Sequence, residues 1–300
     1  MRRRCRRRII AITAQHSGPS TRVVETQGLM ALPGLSTSRS SPIPVAPERS
    51  PAPVIPASLG RVVCTLPTYN EAENILPLAH ELLALGPEVH VLVIDDDSPD
   101  GTWRVVAEAA QREPRLTLLH RKTDRGRGRA GRDGFVEALR MSARIVIEMD
   151  ADHSHQPRSV PLMIERLNRR GFEVGLVVGS RGVAGGKDAR REPFRQTLTK
   201  LANLYIRLLL GVTVRDGNSG YRCWRAETLR AIRVKSTFSR GPAIVQELLF
   251  KTACARIGIA EVPIEFQNRL HGQSTLTLRV LLQGYAVVIK LRWLAFTGRI

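Results

Sequence analysis

Aromatic side chains are scarce in this sequence, because Phe, Trp and Tyr together make up 5% of its 300 residues. Proteins that bind single-stranded nucleic acid place aromatic rings among basic side chains, so that the bases stack on the rings. The sequence shows no such interleaving. We therefore expect no nucleic-acid partner of that class.

Cysteines and long apolar runs are also few. The four cysteines lie far apart and form no Cys-x-x-Cys pair. This spacing argues against a zinc knuckle and a disulfide framework, and it fits a reducing cytosol. No segment holds the roughly 20 predominantly apolar residues that a membrane-spanning helix needs.

Acidic residues are the minority charge: 27 Asp and Glu stand against 46 Lys and Arg, which gives a formal net charge of +19. This excess predicts an anionic partner, and nucleic acid, a membrane surface and a phosphorylated substrate are the classes that qualify. At 300 residues the chain can hold one large domain or two small ones, and its 43% hydrophobic residues are enough for a sizeable core.

Residues 1–58 differ from the rest of the chain. Six arginines fall within positions 2–8, the apolar run at 9–12 is too short for a signal peptide, and residues 33–58 are rich in Pro and Ser. Such a segment cannot bury enough apolar surface to fold alone, so we predict a disordered arm. Two interpretations stay open: arginines that hold anionic lipid headgroups, or a solvated tail, including one that a misplaced start codon would add.

The segment Ile145–Asp152 organises the rest of the sequence. Three β-branched residues lead towards Asp150 and Asp152, which predicts a buried parallel strand with two carboxylates at its carboxyl end. Ligands of open α/β sheets bind outside this end of the strands. Two carboxylates suffice for Mg²⁺, which takes its other ligands from phosphates and water. A solvated turn after a strand is the alternative.

A second acidic cluster, Asp95–Asp97, follows the apolar segment Val89–Ile94. Adjacent carboxylates repel one another, and a bound ligand or cation would compensate this repulsion. An acidic turn that caps a helix explains part of the cluster as well.

Glycines at positions 126, 128 and 131 match Gly-x-Gly-x-x-Gly within an arginine-rich stretch. They follow the third predicted strand rather than the first, so we do not predict a nicotinamide site. A flexible basic loop near a diphosphate and a plain loop before a helix remain alternatives.

Strands and helices are predicted to alternate from residue 59 to residue 275, which indicates an α/β fold with a mostly parallel sheet flanked by helices. The predicted helices span about 70–85, 102–112, 157–170, 193–210 and 242–255. Arg181 follows the strand predicted at 172–178, where a guanidinium can pair with a phosphate. Residues 276–300 are apolar but interrupted by cations, which predicts an amphipathic helix that lies among lipid headgroups or packs on the sheet.

Six motifs follow one another in a fixed order. They are Pro67-Thr68-Tyr69-Asn70-Glu71, Asp95–Thr102, Asp150–His155, Gly179-Ser180-Arg181, Ser219–Arg222 and Val262-Pro263-Ile264. Together they resemble the family-2 glycosyltransferases, and within that family the dolichol- or polyprenol-phosphate mannosyltransferases. The resemblance covers roughly residues 60–275.

The resemblance implies one domain of the GT-A fold over residues 59–275, a GDP-mannose donor, a Mg²⁺ or Mn²⁺ ion and a polyprenyl (dolichyl-type) phosphate acceptor. It implies a nucleotide pocket lined by Pro67, Tyr69, Glu71, Ile94 and Asp96. It also implies that the metal and the donor diphosphate are held by Asp150, Ala151 and Asp152, with Ser154 where some relatives place a metal-binding Gln. Phosphate contacts are implied for Arg181 and Arg269, and the candidate catalytic residues are Asp150, Asp152 and Arg181.

Two positions depart from the family pattern. Thr275 stands where the family usually has a lysine, so a cation is missing at an expected phosphate, and Gly182 stands where relatives often carry Tyr. Arg279 or a basic residue of the segment 126–132 is a candidate substitute for the lysine; an altered donor or an altered activity is the alternative.

The implied reaction needs no strong general base, because a phosphate monoester is largely anionic near neutral pH. In-line attack would invert the anomeric centre. We expect a peripheral enzyme on the cytoplasmic face of a membrane, with a membrane-anchoring partner protein left open. Two alternatives remain: a polyprenyl-phosphate glycosyltransferase that uses a UDP-sugar, and a non-catalytic basic protein that binds membrane or nucleic acid.

Overall fold

The computed structural model describes residues 55–169, 173–189, 193–267 and 278–299. Residues 1–54 of the predicted arm lie outside these ranges. Arg269 and Thr275 also lie outside them, so the roles expected for these two residues stay predictions.

The strands of the described residues form a mixed, mostly parallel sheet with helices on both faces, as predicted. The strands are β1 (Val62–Thr68), β2 (Val89–Asp95), β3 (Leu116–His120), β4 (Ile145–Glu148), β5 (Val174–Ser180), β6 (Lys187–Asp188), β7 (Arg222–Arg225), β8 (Gly258–Pro263) and β9 (Glu265–Phe266). Seven of them pair in the order β3-β2-β1-β4-β7-β5-β8, and β6 pairs with β9. Strand β7 runs antiparallel to both of its neighbours.

The helices are α1 (Ile75–Leu83), α2 (Thr102–Ala110), α3 (Arg127–Arg140), α4 (Val160–Asn168), α5 (Pro193–Leu210), α6 (Ala226–Ala231), α7 (Ile244–Cys254) and α8 (Leu278–Phe296). Apolar residues of α1, α2 and α4 form one hydrophobic core. Those of α3, α5, α6, α7 and α8 form a second core. Because both faces of the sheet are covered, β1, β4 and β5 are buried along their whole length, which explains their apolar sequences.

The position of β4 brings the acidic clusters together. Strands β1, β2 and β4 are parallel neighbours, so their carboxyl ends lie at one edge of the sheet. Tyr69 follows β1, Asp96 follows β2 and Asp150 follows β4. The strand order therefore places three sequence-distant motifs at one edge.

The glycine-rich segment corrects one prediction. Helix α3 begins at Arg127 and contains Gly128 and Gly131, so neither loop alternative describes most of the segment. Gly128 donates its backbone N–H to the Arg240 carbonyl oxygen at 2.7 Å. A Cβ on Gly128 would lie 2.4 Å from the Ser239 carbonyl oxygen. The glycine thus permits close approach of two backbones.

The first helix also begins later than predicted, at Ile75 rather than near Asn70. Asn70 has a φ of 61°, a left-handed conformation that an α-helix does not contain.

Helix α8 packs on the domain through one face and exposes the other. Val288 and Leu291 are 1% and 0% exposed, whereas Trp293 and Phe296 are 52% and 89% exposed. The buried face lies against α5 and α7, whereas the packed alternative placed the helix on the sheet. Among the described residues, no helix combines the length and the apolar character that crossing a membrane requires.

The close approach at Gly128 predicts a large effect of one added methyl group. Gly128→Ala should lower the free energy of unfolding by about 1–3 kcal/mol, because the new Cβ meets backbone atoms that cannot rotate away. Gly284→Ala, in α8, is the matched control: a Cβ there meets nothing within 4 Å. Urea unfolding measures both, and equal stability of the two variants would contradict the packing described.

Candidate active site

A cleft of about 450 Å³ opens at the carboxyl end of β2. Its lining residues are Tyr69, Asp97, Ser98, Pro99, Gly101, Trp103, Arg104 and Arg125. Tyr69 is 52% exposed, which leaves its ring accessible to a ligand. Aromatic rings of this kind are stacking surfaces for nucleobases.

The wall of the cleft contains a cluster that the sequence did not reveal. The Asp97 carboxylate pairs with His120 Nε2 at 2.8 Å and with Arg125. The His120 hydrogen bond keeps the Asp97 pKa below its usual value. Trp103 stacks on the His120 ring with their centroids 4.5 Å apart. These contacts join segments more than 15 residues apart, so no local pattern could have shown them.

Asp96, predicted to line the nucleotide pocket, is nearly buried and holds two structural elements together. One carboxylate oxygen accepts a hydrogen bond from Arg121, and the other accepts the Gly126 backbone N–H at 2.7 Å. Arg121 also pairs with Asp133 of α3 at 2.9 Å. Asp96 therefore fixes the beginning of α3 at the end of β2.

The other predicted pocket residues occupy three different environments. Pro67 is a buried residue within β1, and Ile94 is fully buried within β2. The Glu71 backbone N–H donates to Thr102 Oγ1 at 3.0 Å, and the Glu71 carboxylate accepts from Asn74 at 2.7 Å. Of the predicted set, Tyr69 is the residue that lines the cleft.

Asp150 and Asp152 lie directly after β4, as predicted, and differ in exposure. Asp152 is 3% exposed, and its Oδ1 accepts hydrogen bonds from Ser154 N at 3.0 Å and from Ser154 Oγ at 2.5 Å. The side chain of Asp150 is 37% exposed. Ala151, between them, is buried.

His155 holds the backbone of Asp150 in place. Its Nδ1 accepts the Asp150 backbone N–H at 3.0 Å, and its ring stacks on Tyr221 with centroids 4.9 Å apart. Burial lowers the pKa of His155, although the carboxylates of Asp150 and Asp152 oppose that shift. The imidazole is therefore a neutral hydrogen-bond acceptor at Nδ1.

Arg127 belongs to the segment 126–132, whose basic residues were candidate phosphate contacts, but its contact with the metal-binding candidate Asp150 was not predicted. Its Nη2 lies 3.2 Å from Glu148 Oε1 and 3.3 Å from Asp150 Oδ1. Burial raises the pKa of Glu148, and the positive charges of Arg127 and Arg222 act against that shift. The arginine-rich character of this segment was the available signal, but the sequence did not show where the side chain points.

Arg181 lies at the end of β5, as predicted, and is paired with a carboxylate. It donates through Nε and Nη2 to the two oxygens of Asp216, at 2.7 and 2.8 Å. Burial would raise the pKa of Asp216, but the pairing with Arg181 outweighs it and the pKa is lowered. The phosphate contact expected of Arg181 stays a prediction.

The donor set beside β4 fits a hard divalent cation. Asp150 and Asp152 supply carboxylate oxygens and Ser154 a hydroxyl, the ligand types that Mg²⁺ and Mn²⁺ prefer. A Cβ on Gly220 would lie 3.6 Å from Asp150 Oδ1, so the missing side chain leaves room beside this carboxylate. No group of three or more His, Cys, Asp or Glu side chains suited to a metal occurs in the described ranges, so phosphate and water would complete the coordination.

The known proteins that this sequence resembles are glycosyltransferases. The sequence model described as Glycosyl transferase family 2 matches residues 64–232, more than half of the chain. The undecaprenyl-phosphate mannosyltransferase of Micrococcus luteus is 39% identical over 78% of this chain and 93% of its own length. The polyprenol monophosphomannose synthase of Mycolicibacterium smegmatis is 37% identical over 76% of this chain and 84% of its own.

A solved structure supports the fold. Glucosyl-3-phosphoglycerate synthase from Mycobacterium tuberculosis, in complex with Mn²⁺, UDP-glucose and glycerol 3-phosphate, superposes with a TM-score of 0.59. It is 22% identical, and the match covers 81% of this chain and 82% of that chain. The mixed sheet flanked by helices is the Rossmann-like GT-A fold, and the chain belongs to glycosyltransferase family 2.

Proposed function

We propose that this enzyme transfers mannose from GDP-mannose to a polyprenyl phosphate and depends on Mg²⁺ or Mn²⁺. The observation that carries the proposal is the pair of carboxylates at positions 150 and 152, at the same sheet edge as the cleft beside Tyr69. Relatives at 37–39% identity, whose names specify mannosyl transfer to polyprenol-type phosphates, support the substrate class.

The residues of the cleft would bind the nucleotide. Tyr69 offers an exposed ring for stacking, and Arg125 brings a cation that a diphosphate attracts. Asp152, fixed by two hydrogen bonds from Ser154, and Asp150, fixed through its backbone by His155, would hold the cation. The bound cation supplies charge neutralisation for the departing diphosphate.

The acceptor requires positioning rather than deprotonation. A phosphate oxygen of the lipid attacks the anomeric carbon, a new carbon–oxygen bond forms, and the bond to the GDP β-phosphate oxygen breaks. In-line displacement inverts the anomeric configuration. The acceptor oxygen is already anionic near neutral pH, so orientation within a rigid site is the main requirement.

A UDP-sugar donor is the second candidate for the same site. Two observations favour it: Thr275 replaces the lysine of the family pattern, and the solved structural neighbours include complexes with UDP-glucose. The remaining chemistry would be unchanged, because the carboxylate pair faces a diphosphate in either case.

We propose that the enzyme is peripheral on the cytoplasmic face of a membrane, and a surface formed by α5 and α8 supports the contact with a membrane. We call it the two-helix surface; its exposed apolar residues are Leu198, Leu201, Leu204, Leu208, Ile289, Trp293 and Phe296. The helices contact each other through Tyr205 and Tyr285, whose rings are 4.8 Å apart. Apolar faces of adjacent helices with this exposure are typical of interaction sites.

The charge on these helices favours an anionic lipid surface as the occupant. The sequences of α5 and α8 contain no Asp or Glu. Lys200, Arg207, Lys290 and Arg292 are exposed on them. Amphipathic helices that combine apolar anchors with cations bind anionic bilayers in this way.

The donor preference is testable without the lipid. GDP with Mn²⁺ should raise the melting temperature of the enzyme more than UDP with Mn²⁺ at equal concentration, since the ligand that binds more tightly stabilises the native state more. Radiolabelled GDP-mannose should then yield a labelled polyprenyl product. A larger shift with UDP, together with transfer from UDP-glucose only, would establish the second candidate instead.

The carboxylate pair predicts a selective loss of activity. Asp152→Asn should reduce mannosyl transfer by at least about 100-fold, because a neutral amide is a poor cation ligand. Folding should change little, because the amide oxygen can still accept the hydrogen bonds of Ser154. Glu137→Gln makes the same chemical change in α3, where the half-buried Glu137 pairs with Arg140 rather than with a site residue, and should retain activity. Near-normal transfer by Asp152→Asn would refute the role of this residue.

The two-helix surface predicts a measurable membrane affinity. Trp293→Glu should lower binding to vesicles that contain phosphatidylglycerol by about tenfold, because the change removes an interfacial anchor and adds repulsion. Leu162→Glu is the control, since Leu162 is 43% exposed on α4, outside the two-helix surface. Co-sedimentation measures both variants. Equal binding of both would argue against this surface.

A further inference from the structure

The ion pair between Arg127 and Glu148, beside the proposed cation site, leaves two buried atoms without hydrogen bonds. Arg127 reaches Glu148 and Asp150 through the same nitrogen, Nη2, at 3.2 and 3.3 Å. Its other terminal nitrogen, Nη1, is buried and has no hydrogen-bond partner within the described ranges. The same holds for Glu148 Oε2. The two unsatisfied atoms are thus a donor and an acceptor of one ion pair.

We propose that Arg127 is a built-in counter-ion that competes with the divalent cation for Asp150, and that Glu148 receives the guanidinium when the cation binds. The inference rests on the cation site of the proposed function. Arg127 and Glu148 together would determine how tightly the site binds the cation.

The chemistry of the pair favours this exchange. A guanidinium and a carboxylate pair most strongly through two parallel hydrogen bonds. Here the pairing is single because Arg127 is shared with Asp150. A turn of the guanidinium towards Glu148 would bring Nη1 to Oε2 and satisfy both atoms. The hydrogen bonds formed with Glu148 therefore offset the contact that Arg127 loses with Asp150, because buried polar atoms without hydrogen bonds destabilise a protein.

The surrounding residues fix the backbone of Arg127 and leave its side chain as the moving part. The flanking Gly126 and Gly128 donate their N–H groups to Asp96 and to the Arg240 carbonyl oxygen, each at 2.7 Å. Gly131, one turn later in α3, faces the guanidinium: a Cβ there would lie 3.1 Å from Nη1. The helix therefore leaves just enough space for the side chain.

Glu148 has no comparable partner in the described part of the chain. Arg222 is the nearby buried cation, but its nitrogens donate to the carbonyl oxygens of Ser219, Gly217 and Val245. Arg127 is thus the hydrogen-bond donor that the structure shows for Glu148. Glu148 can accept the whole guanidinium without losing another contact.

The experiment is a titration of the full chain with Mn²⁺ alone, followed by electron paramagnetic resonance of the free ion. Arg127→Met removes the charge and keeps the side-chain length. It should bind Mn²⁺ at least about fivefold more tightly, the factor that corresponds to the repulsion of only two unit charges about 4 Å apart in a water-like dielectric. Arg129→Met, two residues along α3 and paired with Asp124, is the matched control and should bind like the unmodified protein.

The role of Glu148 is tested by a double-mutant cycle. In the Glu148→Gln background the arginine has no charged alternative, so the gain from Arg127→Met should be larger than in the unmodified protein. Additive effects would overturn the exchange between the two carboxylates. A similar Mn²⁺ affinity for Arg127→Met and Arg129→Met, or no Mn²⁺ binding by any variant, would overturn the inference as a whole.

Arg127→Met could fail to fold because it leaves Glu148 unpaired. In that case Glu148→Gln is compared with the double variant, since the double variant leaves neither charge unpaired. The titration contains no sugar donor. Failure to transfer mannose would therefore count against the proposed function, while the difference in Mn²⁺ affinity would still decide this inference.

Discussion

The structure depends on the way negative charge is held at the end of β4. Glu148, Asp150 and Asp152 fall within five consecutive residues, and their mutual repulsion disfavours a compact arrangement. Arg127 supplies a positive charge to the first two, and Ser154 donates two hydrogen bonds to the third. The neutral ring of His155 accepts the backbone N–H of Asp150 and so fixes the backbone at that residue. These contacts hold the carboxylates in positions where a cation can neutralise their remaining negative charge.

Buried charged side chains also fix the segments around the neighbouring strands. Asp216 receives Arg181, and Arg222 donates to three carbonyl oxygens of the segments beside it. Such groups give little net stability, because the cost of removing them from water offsets much of their attraction. Their consequence here is geometric: they define the positions of the turn at 216–220 and of the end of β5 beside Asp150.

Sequence reasoning predicted the features that local patterns encode. The apolar run of β4, the acidic residues that follow it and the alternation of strands and helices gave the fold class and the carboxylate pair. Contacts between distant segments were not accessible in this way. The pairing of Arg181 with Asp216 and the direction of the Arg127 side chain depend on strand order. The start of α3 depends on Gly128, which has no Cβ and therefore lets the backbone lie close to residues 239–241.

In the proposed reaction, Asp150 and Asp152 together bind the cation that neutralises the donor diphosphate. Anomalous X-ray diffraction from crystals grown with Mn²⁺ and GDP tests it most directly. One manganese peak is expected about 2.0–2.3 Å from oxygens of both carboxylates, with the GDP β-phosphate as a further ligand. GDP bound in the cleft with no manganese at these two residues would contradict the account.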